Sequence, residues 1–453
     1  MTAAAKTSLL DQLRGLLGDD GVREEDQPGL PTIILKPRDT AQVSGILKLC
    51  NEAGQALVPI GGRTGLVNGL VPTANEIGLS LERMAAIEEI DTDNRTMTVQ
   101  AGCILQLAAE AAEERGLLLP LDLGARGSAT VGGNVATNAG GNRVIRYGMM
   151  RDMVLGLEVV LADGTVINSL NKMLKNNTGY DLKQWFIGAE GTLGVITRVV
   201  LRLRPLPRSQ NTALLAVQDF DKVTGLLHWL DSHTGGTLSA YEVMWPEYYE
   251  YITREGGNHR PPLPHGSAYY VLAETLGADP EVDAGRFEQV LAETLEQELV
   301  TDAVIAKSQG ERNALWEVRD DVLDLFSLGP IIPFDISVTI DRMPGFVRDV
   351  QSAMAAMTAP ICVIFGHLGD SNLHLILGSR DPEEFDHGTL ESLVYGIVEQ
   401  HQGSVSAEHG VGLSKRDHLS CSRNSEELAL MRQMKNMLDP SNILNPGKIF
   451  AVA

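Results

Sequence analysis

The sequence predicts an α+β protein of more than one domain, and three observations carry that expectation. A strand–helix–strand order opens the chain between Thr32 and Ile60, strong punctuation falls at Arg204-Pro205-Leu206-Pro207, and the stretch beyond it alternates helix with strand. A length of 453 residues is enough for two or three domains with ample core.

Taken in order, Leu9-Leu10, Leu13 and Leu16-Leu17 fall at helical spacing with charges interspersed, the pattern of an amphipathic helix and not of a signal peptide. Residues 32–35 read as a strand, 41–53 as a helix and 56–60 as a second strand, a parallel α/β opening. Further strands are expected at 96–99, 154–161 and 194–203, with Asp163-Gly164 as the hairpin turn between Leu161 and Val166. The Arg204–Pro207 punctuation closes the first domain. Acidic helices follow near 279–298. A last helix over 425–439 ends at Asp439-Pro440, and Asn445-Pro446-Gly447-Lys448 forms a turn.

Hydrophobic residues make up 43% of the chain and charged residues 21%, an ordinary globular balance. A net charge of −22 argues against a nucleic-acid partner and against polybasic docking on an anionic membrane. No run of about 18 apolar residues is present, so no membrane span is expected. Cys50, Cys103, Cys362 and Cys421 show neither metal-type nor disulfide-framework spacing. That fits a reducing compartment, and the cytoplasm is the expectation.

Three glycine-rich segments stand out: Ile60-Gly61-Gly62-Arg63-Thr64-Gly65, the long uncharged run 124–142, and Gly188-Ala189-Glu190-Gly191-Thr192-Leu193-Gly194 leading into a β-branched strand. A residue without Cβ allows a backbone to approach a ligand closely. Neither the first nor the third segment matches the G-x-G-x-x-G or P-loop pattern, so a dinucleotide bound here is held by a different fold. Either short segment alone is equally well explained as an ordinary glycine loop. The long middle segment, flanked by apolar strands, favours a functional reading.

Together these segments resemble the flavin domain of the vanillyl-alcohol-oxidase, or PCMH-type, FAD proteins. Arg146-Tyr147-Gly148, the run 155–164 and Asn177-Thr178-Gly179-Tyr180-Asp181-Leu182-Lys183 are similar to the D-2-hydroxyglutarate and D-lactate dehydrogenase branch. The resemblance implies a PCMH-type FAD-binding domain of two α/β subdomains over 1–207, a cap or substrate domain with an antiparallel sheet and helices over 208–415, and a helical segment over 416–453 that returns to the flavin. It implies FAD contacts from Ile60, Gly61, Gly62, Arg63, Thr64 and Gly65, from Asp122, Gly127, Ser128, Thr130, Gly132, Gly133, Asn134, Thr137, Asn138, Gly140 and Gly141, from Glu190, Gly191, Val195 and Ile196, and from Asn445. None of the ten histidines precedes His228, and Arg63 stands where covalent relatives carry the attaching histidine, so the FAD is expected to be non-covalent.

The second half holds Gly366-His367-Leu368-Gly369-Asp370-Ser371-Asn372-Leu373-His374. If the four residues 369–372 form the loop, Leu368 pairs with Leu373 and His367 lies opposite His374. Their Cβ atoms would then be roughly 4.5–5.5 Å apart on one face. Ala407-Glu408-His409-Gly410 adds a carboxylate and a third imidazole. Two histidines and a carboxylate suit catalytic Zn²⁺, Mn²⁺ or Fe²⁺, although on the residues alone histidines that only satisfy polar groups are the favoured explanation. Residues 408 and 409 of an extended segment would face opposite ways, leaving His409 as either a further ligand or a base. The resemblance implies His367, His374 and Glu408 as metal ligands, with zinc as the implied metal, and His409 as general base. It also implies Arg319, in Leu315-Trp316-Glu317-Val318-Arg319, and Asn372 as substrate-binding.

The implied reaction is oxidation of a D-2-hydroxy acid to the 2-oxo acid by hydride transfer to flavin N5, with the metal on the substrate hydroxyl and carboxylate. Dicarboxylate-specific relatives carry a lysine where this chain has Pro333, a threonine at Leu323 and an asparagine at Ile376. These departures lean the pocket from D-2-hydroxyglutarate towards a D-lactate-like or longer apolar substrate, unless Lys307 or Arg312 supplies the missing cation. Family analogy implies a soluble electron acceptor, an electron-transfer flavoprotein or a cytochrome, and base rates favour a homodimer. The alternatives are a non-catalytic flavoprotein electron-transfer subunit and an O₂-using D-2-hydroxyacid oxidase.

Overall fold

Ile33–Leu35, Thr40–Ala53 and Leu57–Ile60 form the strand, helix and strand that their apolar spacing predicts. The helix starts because the Asp39 carboxylate accepts the Gln42 N–H, and it stops at Gly54, whose φ of 62° is a left-handed cap. Val43, Ile46, Leu47 and Cys50 fall on its buried face. The computed structural model describes residues 3–25, 27–383 and 385–451, with side chains from residue 8 onward.

The chain divides into two compact units, the first made of Met1–Gly141, Gly148–Leu206 and Glu408–Ala453, the second of Asn142–Tyr147 and Pro207–Ala407. In the first unit the parallel core of a four-stranded sheet runs Ile33–Leu35, Ile77–Ser80, Leu57–Ile60, with Val22–Glu24 antiparallel at its edge. A five-stranded antiparallel sheet follows the order Ile87–Asp91, Thr96–Gln100, Val195–Arg202, Val154–Val160, Val166–Ser169. Gly164, at φ 84°, makes the expected turn and donates to the Leu161 carbonyl at 2.9 Å. The helix Ser425–Leu438 brings the tail back onto this unit. Leu57 N–H donates to Ile443 O at 2.7 Å and Asn445 N–H to Leu57 O at 2.8 Å, while half-buried Lys435 donates to the carbonyls of Thr192 and Leu444 and to Asp439.

The second unit is one seven-stranded antiparallel sheet in the order Asp302–Ile305, Ser209–Val217, Tyr269–Gly277, Leu238–Met244, Pro360–His367, Asn372–Ser379, Ile331–Ser337. Its strands are apolar almost throughout, and one face buries Met244, Tyr248, Phe365 and Ile376 with Leu315 and Val318 of the helix Gln309–Asp320.

The expected limits of 1–207, 208–415 and 416–453 lie apart from these units in two places. Asn142–Tyr147 goes with the second unit because Arg143 pairs with wholly buried Glu274 at 3.5 Å and Arg146 donates to the carbonyls of Thr237 and Leu276. The return to the first unit begins at Glu408, eight residues before the expected start. Among the described residues no helix is long and apolar enough to cross a membrane.

Candidate functional site

In the first unit the glycine segments are drawn together by direct backbone contact. A Cβ on Gly62 would lie 2.1 Å from Ser128 O and one on Gly61 2.9 Å from Thr130 Oγ1; one on Gly132 would lie 2.5 Å from the Ala101 Cβ and one on Gly141 2.0 Å from Asp122 O. These glycines are needed so that protein segments can approach one another, a reason additional to room for a ligand. Thr130 caps the helix Val131–Thr137 by accepting Gly133 N–H, and Thr137 donates to Gly133 O at 3.1 Å. Ile60, Gly61, Gly62, Ser128 and Thr130 then line a cleft of about 160 Å³. Leu81, Glu82, Ala85, Gly102 and Ile104 complete it. Sequence reasoning missed those five: they follow strand ends and carry no motif.

Other expected cofactor residues have roles within the protein. Arg63, at φ 60°, donates to Gln27 at 2.6 Å and Glu25 at 3.4 Å, and Thr64, Gly65 and Gly127 are exposed. Asp122 pairs with Arg126 at 3.3 Å, and Asn138, left-handed at φ 50°, accepts Arg151 N–H at 2.9 Å. Gly140 is buried, as are Val195 and Ile196 in their strand. Glu190 and Gly191 both have positive φ. The Glu190 carboxylate accepts Val411 N–H at 2.7 Å and Gly412 N–H at 2.8 Å, so it holds the backbone just after His409. Burial pushes the Glu190 carboxyl above its ordinary range despite those two donors. Asn445 Nδ2 donates to Glu190 O at 2.8 Å. Among the described residues, Asn445 Oδ1 and Asn134 Nδ2 are buried with no hydrogen-bond partner, which fits polar atoms of a bound dinucleotide.

The segment around Glu408 and His409 bends instead of extending, with bends at residues 407–409. The alternation expected of a strand therefore does not apply, and Glu408 and His409 present ligand atoms within 4.8 Å of each other.

In the second unit the histidine register differs from the expected one. A short 3₁₀ turn, Leu368–Asp370, with Ser371 at φ 71°, closes the connection one residue earlier on each strand. Phe365 is therefore the cross-strand partner of His374, and His367 sits diagonally from it. A two-residue shift keeps the side-chain face, so both imidazoles still project together. Their ring centroids are 5.2 Å apart at 81°, and each offers a nitrogen within 4.8 Å of the other.

His367 also pairs across the next strand with Glu242, which the sequence reading did not single out. Glu242 Oε1 lies 2.7 Å from His367 Nδ1, and Oε2 lies 2.9 Å from both Nε and Nη2 of Arg319. All three side chains are buried. Burial pushes the Glu242 carboxyl up, but His367 and Arg319 outweigh that and hold it below the ordinary carboxylate range. Arg319 lies over the Phe365 ring at 5.0 Å and places Nη2 3.5 Å from His367 Nε2. Asn372 is 3% exposed, and neither its Nδ2 nor its Oδ1 has a hydrogen-bond partner among the described residues. Buried Asp335 is the cross-strand partner of His374.

A family profile described as FAD linked oxidases, C-terminal domain, matches residues 206–449, and one described as FAD binding domain matches residues 31–169. The D-2-hydroxyglutarate dehydrogenase, mitochondrial, of Bos taurus is 43% identical over 93% of this chain and 77% of its own length. The chain belongs to the FAD-linked oxidase family.

Within that family it is a D-2-hydroxyglutarate/D-lactate dehydrogenase-type oxidoreductase. The Danio rerio D-2-hydroxyglutarate dehydrogenase, mitochondrial, is 41% identical over 93% of this chain and 78% of its own. The fold is PCMH-type α+β: p-cresol methylhydroxylase superposes with a TM-score of 0.81 at 17% identity, covering 100% of this chain and 98% of that one. Both dehydrogenases are named as mitochondrial proteins, which overturns the expectation of a cytoplasmic one. That expectation rested on cysteine spacing, and free thiols fit any reducing compartment.

The three positions expected to set the substrate side chain lie in different surroundings. Ile376 is 2% exposed in the core, Leu323 is 80% exposed in the turn Val322–Leu328, and Pro333 lies on the edge strand. Of the two replacement cations considered, Lys307 is ion-paired with Glu288, and Arg312 borders a separate cleft with Gln210 and Asn211.

Proposed function

We propose that this FAD-linked oxidoreductase is a metal-dependent D-2-hydroxyacid dehydrogenase, with FAD held non-covalently by the glycine segments and a divalent cation, zinc first among the candidates, held by His367, His374 and Glu408. The observation that carries the reading is the imidazole pair of His367 and His374, 5.2 Å apart on one sheet face. Two nitrogen donors and a carboxylate suit a borderline divalent metal with positions left for substrate. Glu408 follows four residues after Ser404, which is bridged to Ser337 on the strand that carries Asp335 opposite His374.

When bound, the flavin accepts the Cα hydride and the metal polarises the substrate hydroxyl. The chain's own residues do the rest. His409 takes the hydroxyl proton, a task suited to an imidazole whose unperturbed pKa is about 6.5. Arg319, next to His367 Nε2, supplies positive charge for the α-carboxylate. Asn372, whose amide atoms are buried with no hydrogen-bond partner among the described residues, donates to and accepts from the substrate. Glu190 holds the Gly410–Gly412 backbone so that His409 keeps its place. A soluble electron carrier reoxidises the flavin.

Lys307 is already paired and Ile376 is packed in the core, so the substrate side chain favoured is less polar than that of hydroxyglutarate. The relatives' names favour D-2-hydroxyglutarate as the second reading. The test is anaerobic bleaching of the flavin absorbance by D-2-hydroxyglutarate, D-lactate and D-mandelate in parallel. Bleaching by lactate or mandelate alone supports the apolar pocket, and fast bleaching by hydroxyglutarate selects the second reading. No bleaching by any of the three, with FAD and metal bound, sinks the dehydrogenase proposal.

A further inference from the structure

We propose that Glu242 is the positioning residue that fixes His367 as an Nε2 metal donor and, through its other oxygen, sets the orientation of Arg319. This inference rests on the proposed metal site at His367 and His374, and it concerns a residue 125 positions away in sequence.

The geometry divides the work between the two carboxylate oxygens. Oε1 accepts from His367 Nδ1 at 2.7 Å; Oε2 accepts Nε–H of Arg319 at 2.9 Å and lies at the same distance from the cationic Nη2. A carboxylate between an imidazole and a guanidinium acts as an acceptor only, so the proton on the imidazole belongs on Nδ1. The other ring nitrogen gives the same answer independently. Nη2 of Arg319 lies 3.5 Å from His367 Nε2, and a guanidinium has no lone pair to offer, so Nε2 must be the lone-pair nitrogen. Both neighbours therefore assign one tautomer, with the proton on Nδ1 and the lone pair on Nε2.

The arrangement is built into the sheet. Glu242 and His367 are cross-strand partners, with Glu242 1% and His367 6% exposed. Arg319 arrives from the last turn of the helix Gln309–Asp320. A carboxylate that orients a histidine ligand fixes its ring and raises its basicity, and losing such a partner typically weakens metal affinity about 10–100-fold. In Glu242→Gln the amide must set an NH₂ against either Arg319 or His367 Nδ1. The first opposes the Arg319 Nε–H donor, and the second drives the histidine proton to Nε2 and removes the metal's lone pair.

The experiment uses the FAD-loaded full chain and reads metal binding by chelator competition with Zn²⁺, together with the His367 tautomer by ¹⁵N-histidine NMR of the metal-stripped protein. His367→Asn assigns the resonance. The expected result is an Nδ1–H tautomer for His367 in the wild type, its loss in Glu242→Gln, and a 10–100-fold weaker Zn²⁺ affinity in that variant with FAD retained. Glu242→Asp, which keeps the charge, recovers part of the affinity. Unchanged Zn²⁺ affinity in Glu242→Gln, while His367→Ala abolishes binding, overturns the role of Glu242 and leaves the metal site standing. Unchanged affinity in His367→Ala and His374→Ala overturns the metal site itself, and with it this inference. An Nε2–H tautomer in the wild type overturns the inference even if every Glu242 variant fails to fold.

Discussion

Arg319 and Glu242 meet with both guanidinium nitrogens Nε and Nη2 at 2.9 Å from one carboxylate oxygen, in a region where the arginine is 3% and the glutamate 1% exposed. A pair this dry is costly to break from one side, because the remaining charge has no water to turn to. Arg319→Leu is expected to destabilise by about 3–5 kcal/mol. Glu242→Leu should behave similarly, and the double variant should lose clearly less than the sum of the two. Thermal or urea unfolding of the four proteins gives the coupling energy, and strict additivity would show the pair to be independent.

Gly62 has no room for a methyl group, since its Cβ would lie 2.1 Å from Ser128 O and 2.7 Å from Ala129 Cα. The obstruction is backbone, so Gly62→Ala must push the 128–130 segment away from the Ile60–Gly62 end of the strand. A loss of FAD affinity of about tenfold or more, roughly 1.4 kcal/mol, is expected, measured by ultrafiltration of the yellow protein. Wild-type affinity in this variant would mean that the contact between the segments does not shape the flavin cleft.

The Glu190 carboxylate accepts two backbone N–H groups directly after His409 and Gly410. Hydrogen bonds to a charged group are worth about 1.5–3 kcal/mol each, and a glutamine there keeps one acceptor and opposes the other N–H with its own NH₂. Glu190→Gln is expected to slow flavin reduction in stopped flow while FAD stays bound. An unchanged rate would separate Glu190 from the placing of His409.

Glu76 governs part of the acid stability. Burial pushes its carboxyl up, but the Thr73 hydroxyl and the backbone N–H groups of Thr73 and Ala74 prevail and hold it below 4.5. A depressed folded value means that the unfolded chain binds more protons in the interval between the two values. The stabilisation is thus complete above about pH 4.5 and disappears as pH falls through the folded value. Glu76→Gln should be less stable than wild type at pH 7 by about 1–2 kcal/mol, with a shallower decline below pH 4.5. Melting temperatures at pH 7, 5, 4 and 3 decide it, and parallel curves for the two proteins would refute the assignment.

Much of the fold was legible because local rules agreed with the tertiary structure. Asp39, Gly54 and the Val43–Ile46–Leu47–Cys50 face mark one helix from both ends, and Asp163-Gly164 makes the turn that its residue types demand. The histidine face was legible too, since any even shift in register leaves His367 and His374 on the same side. The register itself was not, because whether residues 368–371 close as a 3₁₀ turn depends on packing. Glu242 carried no signal at all: it is one acidic residue within an apolar strand, and its meaning appears only when Leu238–Met244 pairs with Pro360–His367. The bend at 407–409 and the crossing of Asn142–Tyr147 into the second unit likewise depend on long-range partners.

The discontinuity of the first unit has a consequence for biosynthesis. On a translating ribosome its opening strands emerge first, yet the segment that bonds to both sides of Leu57 comes from residues 443–445, after the whole second unit has been made. The seven-stranded sheet therefore has everything it needs to close while the older half still waits for its own tail. Flavin capture should be a post-translational event, and a nascent chain stalled before residue 440 should hold a folded second unit with little affinity for FAD.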